Sequence, residues 1–140
     1  MLWYSVSMTE SDKKKIADIL EKYGVIVGYL FGVALYKKEE KIFYIDMAVL
    51  FEEDISQKES FRKELLLSAD LKRELALGYV NLINLSLTDP FTKHKIVLCE
   101  GESLYVKDTE VKLELERRTL YDYEDAYHLR EIAYLAVEGV

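Results

Sequence analysis

Residues 24–51, GVIVGYLFGVALYKKEEKIFYIDMAVLF, contain two apolar runs rich in β-branched and aromatic residues, Gly24 to Phe31 and Phe43 to Phe51, on either side of a charged segment. Continuous apolar runs of this length predict strands covered on both faces, not half-solvated ones. The intervening GVALYKKEEKI predicts a short helix and then a charged turn. On the N-terminal side, Ile16, Ile19, Leu20 and Tyr23 fall at helical spacing. Thr9 and Asp12 occupy capping-box positions and Gly24 is a stop, which predicts a helix over Thr9–Tyr23.

On the C-terminal side, Ser56 to about Ala76 predicts a helix whose apolar stripe is Phe61, Leu65, Leu66, Ala69 and Leu75. A third strand is expected over Tyr79–Leu87. Thr88-Asp89-Pro90 starts a helix that Glu100-Gly101 ends, with proline in the first turn. A short strand over Ser103–Val106 follows, and Asp108–Glu138, free of glycine and proline, predicts one long helix. The first eight residues, with Trp3, Tyr4 and Met8, are expected to add a strand or to lie over the same surface. This order gives an α/β (α+β) domain: a small mixed sheet covered by helices, with a long C-terminal helix. Residues 1–140 are read as a single domain, its core at about 9–107 and its terminal helix at about 108–138.

The composition narrows the function classes. The chain has 140 residues, 50% of them hydrophobic, and a net charge of −7. At this length roughly two-thirds of the unfolded surface is buried, enough for a core without staples. The single cysteine, Cys99, excludes an internal disulfide framework. It is expected to be a small buried hydrophobe, not a nucleophile. No uncharged run is longer than that of Tyr23 to Tyr36, which is too short to span a bilayer. Lysines follow the apolar part of the N-terminus instead of preceding it, so a cytoplasmic protein is expected. An acidic balance argues against nucleic-acid binding across the surface. Few amides and abundant Lys, Glu and Ile drift in the hyperthermophile direction.

Candidate site residues follow from the two central runs. A strand ending at Leu30-Phe31-Gly32 with a turn into a helix would offer backbone N–H groups to a phosphate, although a plain glycine turn is the ordinary reading of Gly32 taken alone. Asp46 stands inside an otherwise apolar strand, where a carboxylate either reaches solvent or serves a site. Together, Gly32-Val33, ten residues, then Tyr44-x-Asp46 and apolar strand residues resemble the signature of the minimal nucleotidyltransferases of the polymerase-β type. That signature reads Gly-Ser, ten residues, Asp-x-Asp. A third family aspartate lies in a pattern resembling V-D-L-V-D-L, and Val80-Asn81-Leu82-Ile83-Asn84-Leu85 stands there in this chain. DPFTKHKIVLCEGESLYVKD resembles the continuation of the family, so the resemblance covers about Gly24 to Asp108.

The resemblance implies a nucleotidyltransferase-type sheet and, in active members, three carboxylates holding two Mg²⁺ ions on the phosphates of ATP. Val33 replaces the serine, Tyr44 the first aspartate and Asn81 the third, so Asp46 alone remains of the carboxylates. A tyrosine with a pKa of about 10 is a poor anionic ligand at neutral pH. Gly32 and Val33 are the family's nucleotide-binding positions, and Asp46 is a weak candidate for a single metal ligand. Glu52, Glu53 and Asp54 are read as a solvated turn, not as substitute ligands. Lys37, Lys38, Lys41, Lys93 and Lys95 are candidate phosphate attractors, while His94 and His128 lack metal-ligand spacing.

A second set lies on the terminal helix. Leu113, Leu120, Tyr127 and Tyr134 recur every seven residues with Tyr123 and Val137 at intermediate positions, an apolar, tyrosine-rich seam. It is expected either to pack on the domain or, because such a helix extends about 45 Å, to meet another chain. Many members of the resembled family are antitoxins paired with helical HEPN toxins, acting by transferring AMP to a toxin tyrosine or by binding alone. The expectation is therefore a catalytically degenerate nucleotidyltransferase-fold protein that acts through a protein partner of HEPN type, with a homodimer as a further option and no cofactor required. The alternatives are an active transferase using Mg²⁺ and ATP, and a module that binds nucleotide without turnover.

Overall fold

The computed structural model describes residues 2–3, 8–35, 42–52 and 54–138. The elements in order are β1 (Leu2–Trp3), α1 (Glu10–Lys22), β2 (Val25–Leu35), β3 (Ile42–Phe51), α2 (Gln57–Glu74), β4 (Tyr79–Asn84), a 3₁₀ turn (Leu85–Leu87), α3 (Pro90–His94), a π-helical turn (Lys95–Glu100), β5 (Glu102–Val106) and α4 (Thr109–Val137). They build a five-stranded mixed sheet in the order β1-β2-β3-β4, with β5 on β2 beside β1. Only the β3–β4 pair is parallel among the described strands, and α2 makes its crossover.

Two apolar clusters cover the sheet. One gathers Ile16, Leu20, Val25, Ile45, Met47, Val49, Leu67 and Leu71. The other gathers Val27, Tyr29, Ala48, Leu85, Ile96 and Val97. Alternate residues of β2 and β3 enter opposite clusters, which is why both strands read as unbroken apolar runs. Each fully buried Leu or Ile contributes about 1.5–3 kcal/mol, and truncating Leu71 to alanine would cost about 2–5 kcal/mol.

The helix starts are capped by the expected residue types: Thr9 accepts from the Asp12 N–H, Ser56 from Glu59 and Asp89 from Thr92. Gly24 adopts φ +73°, the left-handed conformation that ends α1. At the end of α2, Ala76 takes φ 51° with no glycine to relieve it.

Several expectations are corrected. β2 does not turn into a helix after Gly32; it runs on in the sheet to Leu35, and residues 36–41, with the expected charged turn, lie outside the described residues. The third strand stops at Asn84, because the Asn84 side chain accepts from the Ser86 N–H while Thr88 donates to the Asn84 carbonyl, curling 85–87 into a 3₁₀ turn. In α2 most of the expected stripe faces outward: Phe61, Leu65, Leu66 and Ala69 are exposed, Leu75 alone of the five packs half-buried on the core, and the buried positions are Ser60, Leu67, Asp70 and Leu71. Polar Ser60 and Asp70 are tolerated inside because Asn84 donates to Ser60 at 2.7 Å and Arg73 to Asp70 at 2.6 Å, with Lys22 and Tyr23 also on Asp70. Trp3 pairs Ala34 through β1, whereas Tyr4 lies outside the described residues. No helix among the described residues is long and apolar enough to cross a membrane.

Candidate functional site

Tyr44 and Asp46 are two apart on β3 and so share one face of the sheet. The parallel register sets Asn81 of β4 opposite Asp46, and the antiparallel register sets Gly32 of β2 on its other side. Three positions distant in sequence thereby meet on one carboxylate. The Asn81 amide donates to Asp46 Oδ1 at 2.8 Å, and the Tyr44 hydroxyl donates to the same oxygen in a short contact. The Tyr44 ring stacks on Tyr79, centroids 5.3 Å apart and planes 2° from parallel. Burial first, then the bond to Asp46, raises the Tyr44 hydroxyl well above the usual phenol range.

Gly32 belongs to this site for a reason unlike the expected one. Phe31 is an extra residue in β2 between the Leu30–Met47 and Gly32–Asp46 pairs, a bulge that re-aims the strand. A Cβ on Gly32 would run into the Asp46 carboxylate. The glycine lets the carboxylate lie flat against the neighbouring strand, with no turn involved. Val33 is buried in the core and paired with Ile45, so its side chain does not line a phosphate cradle. The turn-and-helix cradle expected at Gly32-Val33 is absent among the described residues.

The donor set does not suit a two-metal centre. It offers one carboxylate, whose Oδ1 already accepts two hydrogen bonds, one phenol held in its protonated form and one amide presenting its nitrogen. Magnesium requires oxygen acceptors. No group of three His, Cys, Asp or Glu that could hold a metal occurs among the described residues. Glu52, six residues along from Asp46, is about 20 Å away at strand rise and pairs with Lys107 at 3.4 Å. Asp54 lies in the turn after β3 and is exposed, and Glu53, Lys37, Lys38 and Lys41 lie outside the described residues. Lys95 pairs with Glu100 at 3.8 Å.

The terminal helix forms a second candidate site. Val111, Leu115, Thr119, Tyr123 and Ala126 mark the face of α4 that packs on α3, the π-helical turn and the sheet, with Thr119 fully buried. Leu113, Leu120, Tyr127 and Tyr134 of the expected seam are all exposed, so the seam does not pack on the domain's own sheet. Half-buried Tyr123 stands apart from them: it stacks on His94 at 3.7 Å, meets Phe91 edge-on at 5.7 Å and lies 6.4 Å from Tyr127. Arg130 lies over the Phe91 ring at 4.9 Å. An open groove of about 540 Å³ is lined by Tyr123, Glu124, Tyr127 and His128. Cys99 is exposed, not buried, with its sulfur 3.7 Å from His94 Nδ1.

Val137, an intermediate position of the expected seam, is 86% exposed, and Leu129 and Ile132, which sequence reasoning passed over, are 67% and 63% exposed. The available signal was the loss of polar–apolar segregation after Ala126, where apolar residues occupy nearly every side of the helix.

A family model described as "Polymerase beta, Nucleotidyltransferase" matches residues 14–110. No curated relative matches by sequence. Among solved structures, the toxin–antitoxin complex MntA–HepT is similar at 18% identity and TM-score 0.68, over 93% of this chain and 99% of that one. A tri-AMPylated Shewanella oneidensis HEPN toxin in complex with MNT antitoxin is similar at 20% identity and TM-score 0.68, over 94% and 99%. A toxin–antitoxin structure with AMP-PNP is similar at 19% identity and TM-score 0.66, over 90% and 98%. At these identities the likeness establishes the fold.

Proposed function

The chain belongs to the polymerase-β nucleotidyltransferase family, and from that premise we propose that it works without nucleotide transfer, as the protein-binding, antitoxin-like partner of a HEPN-type protein. The observation that carries this is the closure of Asp46: the groups at the two lost carboxylate positions, Tyr44 and Asn81, both donate to its Oδ1. A carboxylate engaged in this way serves as a cross-link between β3 and β4 rather than as a metal ligand. The HEPN partner class is supported by the solved neighbours, which are complexes of MNT antitoxins with HEPN toxins. The exposed terminal helix supplies the contact surface.

The test is co-purification with a HEPN-type protein from the same genome, in EDTA and without nucleotide, together with labelling from radioactive ATP. A stable complex and no label on either protein is the expected result. Metal-dependent label that vanishes in Asp46→Asn would overturn the proposal in favour of an active transferase. Thermal protection by ATP alone, about 2.7 kcal/mol at a hundred times its Kd, would overturn it in favour of a nucleotide-binding module.

A further inference from the structure

We propose that the outer half of α4 receives a cationic amphipathic helix of the partner protein, gripped along the apolar overhang and held by carboxylates that have no cation of their own. The inference rests on the reading that this chain acts by binding a protein, and it specifies the chemistry of that partner.

Two independent features of α4 carry it. The first is the fate of its packed face. Leu115, Thr119, Tyr123 and Ala126 lie on the domain, and helical periodicity continues that face through Ala133 and Val137, flanked by Leu129 and Tyr134. Every described residue from Tyr127 to Glu138 is nevertheless exposed, so about three turns of apolar surface extend past the body of the protein. Exposed apolar surface on this scale marks a contact site.

The second feature is charge. From Thr109 to Thr119 the helix carries Glu110, Glu114 and Glu116 against Lys112, Arg117 and Arg118, and Glu116–Lys112 and Glu114–Arg117 are paired at 2.5 Å. From Leu120 to Val137 it carries Asp122, Glu124, Asp125 and Glu131 against Arg130 alone, and none of these four acids makes an ion pair among the described residues. Arg130 is already seated on Phe91. The net negative charge of α4 therefore lies at Asp122, Glu124 and Asp125, in the turn just before the overhang, interleaved with Tyr121, Tyr127 and the groove at Glu124, while Glu131 and Arg130 balance each other on the overhang itself.

That combination selects one occupant. An anionic membrane or an RNA would be repelled by the same acids. A second copy would set two such halves together within a chain of net charge −7. A helix with apolar residues on one side and Lys or Arg flanking them satisfies both the apolar stripe and the unpaired acids, and its cations also suit the tyrosine faces.

The direct test uses the full chain and a fluorescein-labelled peptide of about 18 residues, leucine at helical spacing and lysine elsewhere, followed by anisotropy at about 50 mM and about 500 mM salt. A matched leucine–glutamate peptide and a shuffled leucine–lysine peptide are the controls. The expected result is saturable binding of the leucine–lysine helix alone. Binding should weaken at least about tenfold in Asp122→Asn/Glu124→Gln/Asp125→Asn/Glu131→Gln, with the difference shrinking at the higher salt. Leu129→Ser/Ile132→Ser, at exposed positions, should weaken it similarly with an unchanged melting curve. Equal binding of both charged peptides, binding indifferent to the four-acid variant, no binding, or a self-association through Leu129 and Ile132 that the peptide does not compete away would each overturn the proposal. A complex with the HEPN-type protein that forms unchanged with the four-acid variant removes this inference and leaves the functional reading standing. Absence of any such complex, with peptide binding intact, does the reverse.

Discussion

Asn81 donates its side-chain amide to Asp46 at 2.8 Å across the parallel β3–β4 pair, in the position where a second carboxylate would face the first. Asn81→Asp would place two like charges at hydrogen-bond distance, which one of them relieves only by keeping a proton. A loss of about 1–3 kcal/mol is expected on urea unfolding at neutral pH. In Tyr44→Asp/Asn81→Asp the loss should be reversed by Mg²⁺, whereas the natural protein should melt identically with and without it.

Gly32→Ala tests the close approach from the opposite strand. The new methyl meets the Asp46 carboxylate, so Gly32→Ala should destabilise by about 1–3 kcal/mol. Paired with Asp46→Ala, the combined loss should be smaller than the sum of the two single losses, because the clash has lost one member.

An alkaline titration followed by phenolate absorbance reads three of the eleven tyrosines directly. Tyr44 is raised by burial and by Asp46, Tyr23 by its bond to Asp70, and Tyr29 is pushed up to about 12 by burial and the charge of Glu116. Raised folded values mean that their contribution to stability is complete below the unfolded pKa of about 10 and is lost as pH rises through the folded values. These three should ionise above the ordinary phenol range, and Tyr44→Phe should remove one of them from the delayed step.

Asp70 governs the acid side. The Tyr23 hydroxyl first, then Lys22 and Arg73, hold its carboxyl below the usual range despite burial. Its contribution is therefore present above the unfolded pKa of about 3.9 and fades as pH falls through the lower folded value. Melting temperature against pH should show a steeper fall below about pH 4 in the natural protein than in Asp70→Asn.

Ala76→Gly should raise stability by about 0.5–1 kcal/mol, since Ala76 ends α2 at φ 51° and glycine takes that conformation without the Cβ penalty. A higher urea midpoint with an unchanged slope is the expected reading.

What the sequence disclosed, and what it withheld, follows from the range of the forces involved. β2 and β3 were legible because burial on both faces demands unbroken β-branched runs, and the three helix caps because their partners lie three residues away. Gly32 was misread because glycine alone most often signals a turn, whereas its reason here is a carboxylate arriving from another strand. The stripe of α2 was misread because Ser60 and Asp70 are tolerated inside by partners at Asn84 and Tyr23, invisible to a periodicity count. The seven-residue spacing on α4 identified an apolar seam, but the face that actually packs is the one through Leu115 and Thr119. Asp46, Tyr44 and Asn81 were marked as a group only by a resemblance, since nothing in their local spacing sets β4 beside β3.

The pairing of β5 with β2 joins Val27 to Val106, from opposite halves of the chain, while β2 and β3 are near neighbours in sequence. Loop-closure entropy favours forming the hairpin early and makes β5 a late arrival. Because α4 follows β5 directly, its placement waits on that last strand. The outer half of α4 therefore reaches its final position relative to the sheet only once β5 has paired with β2.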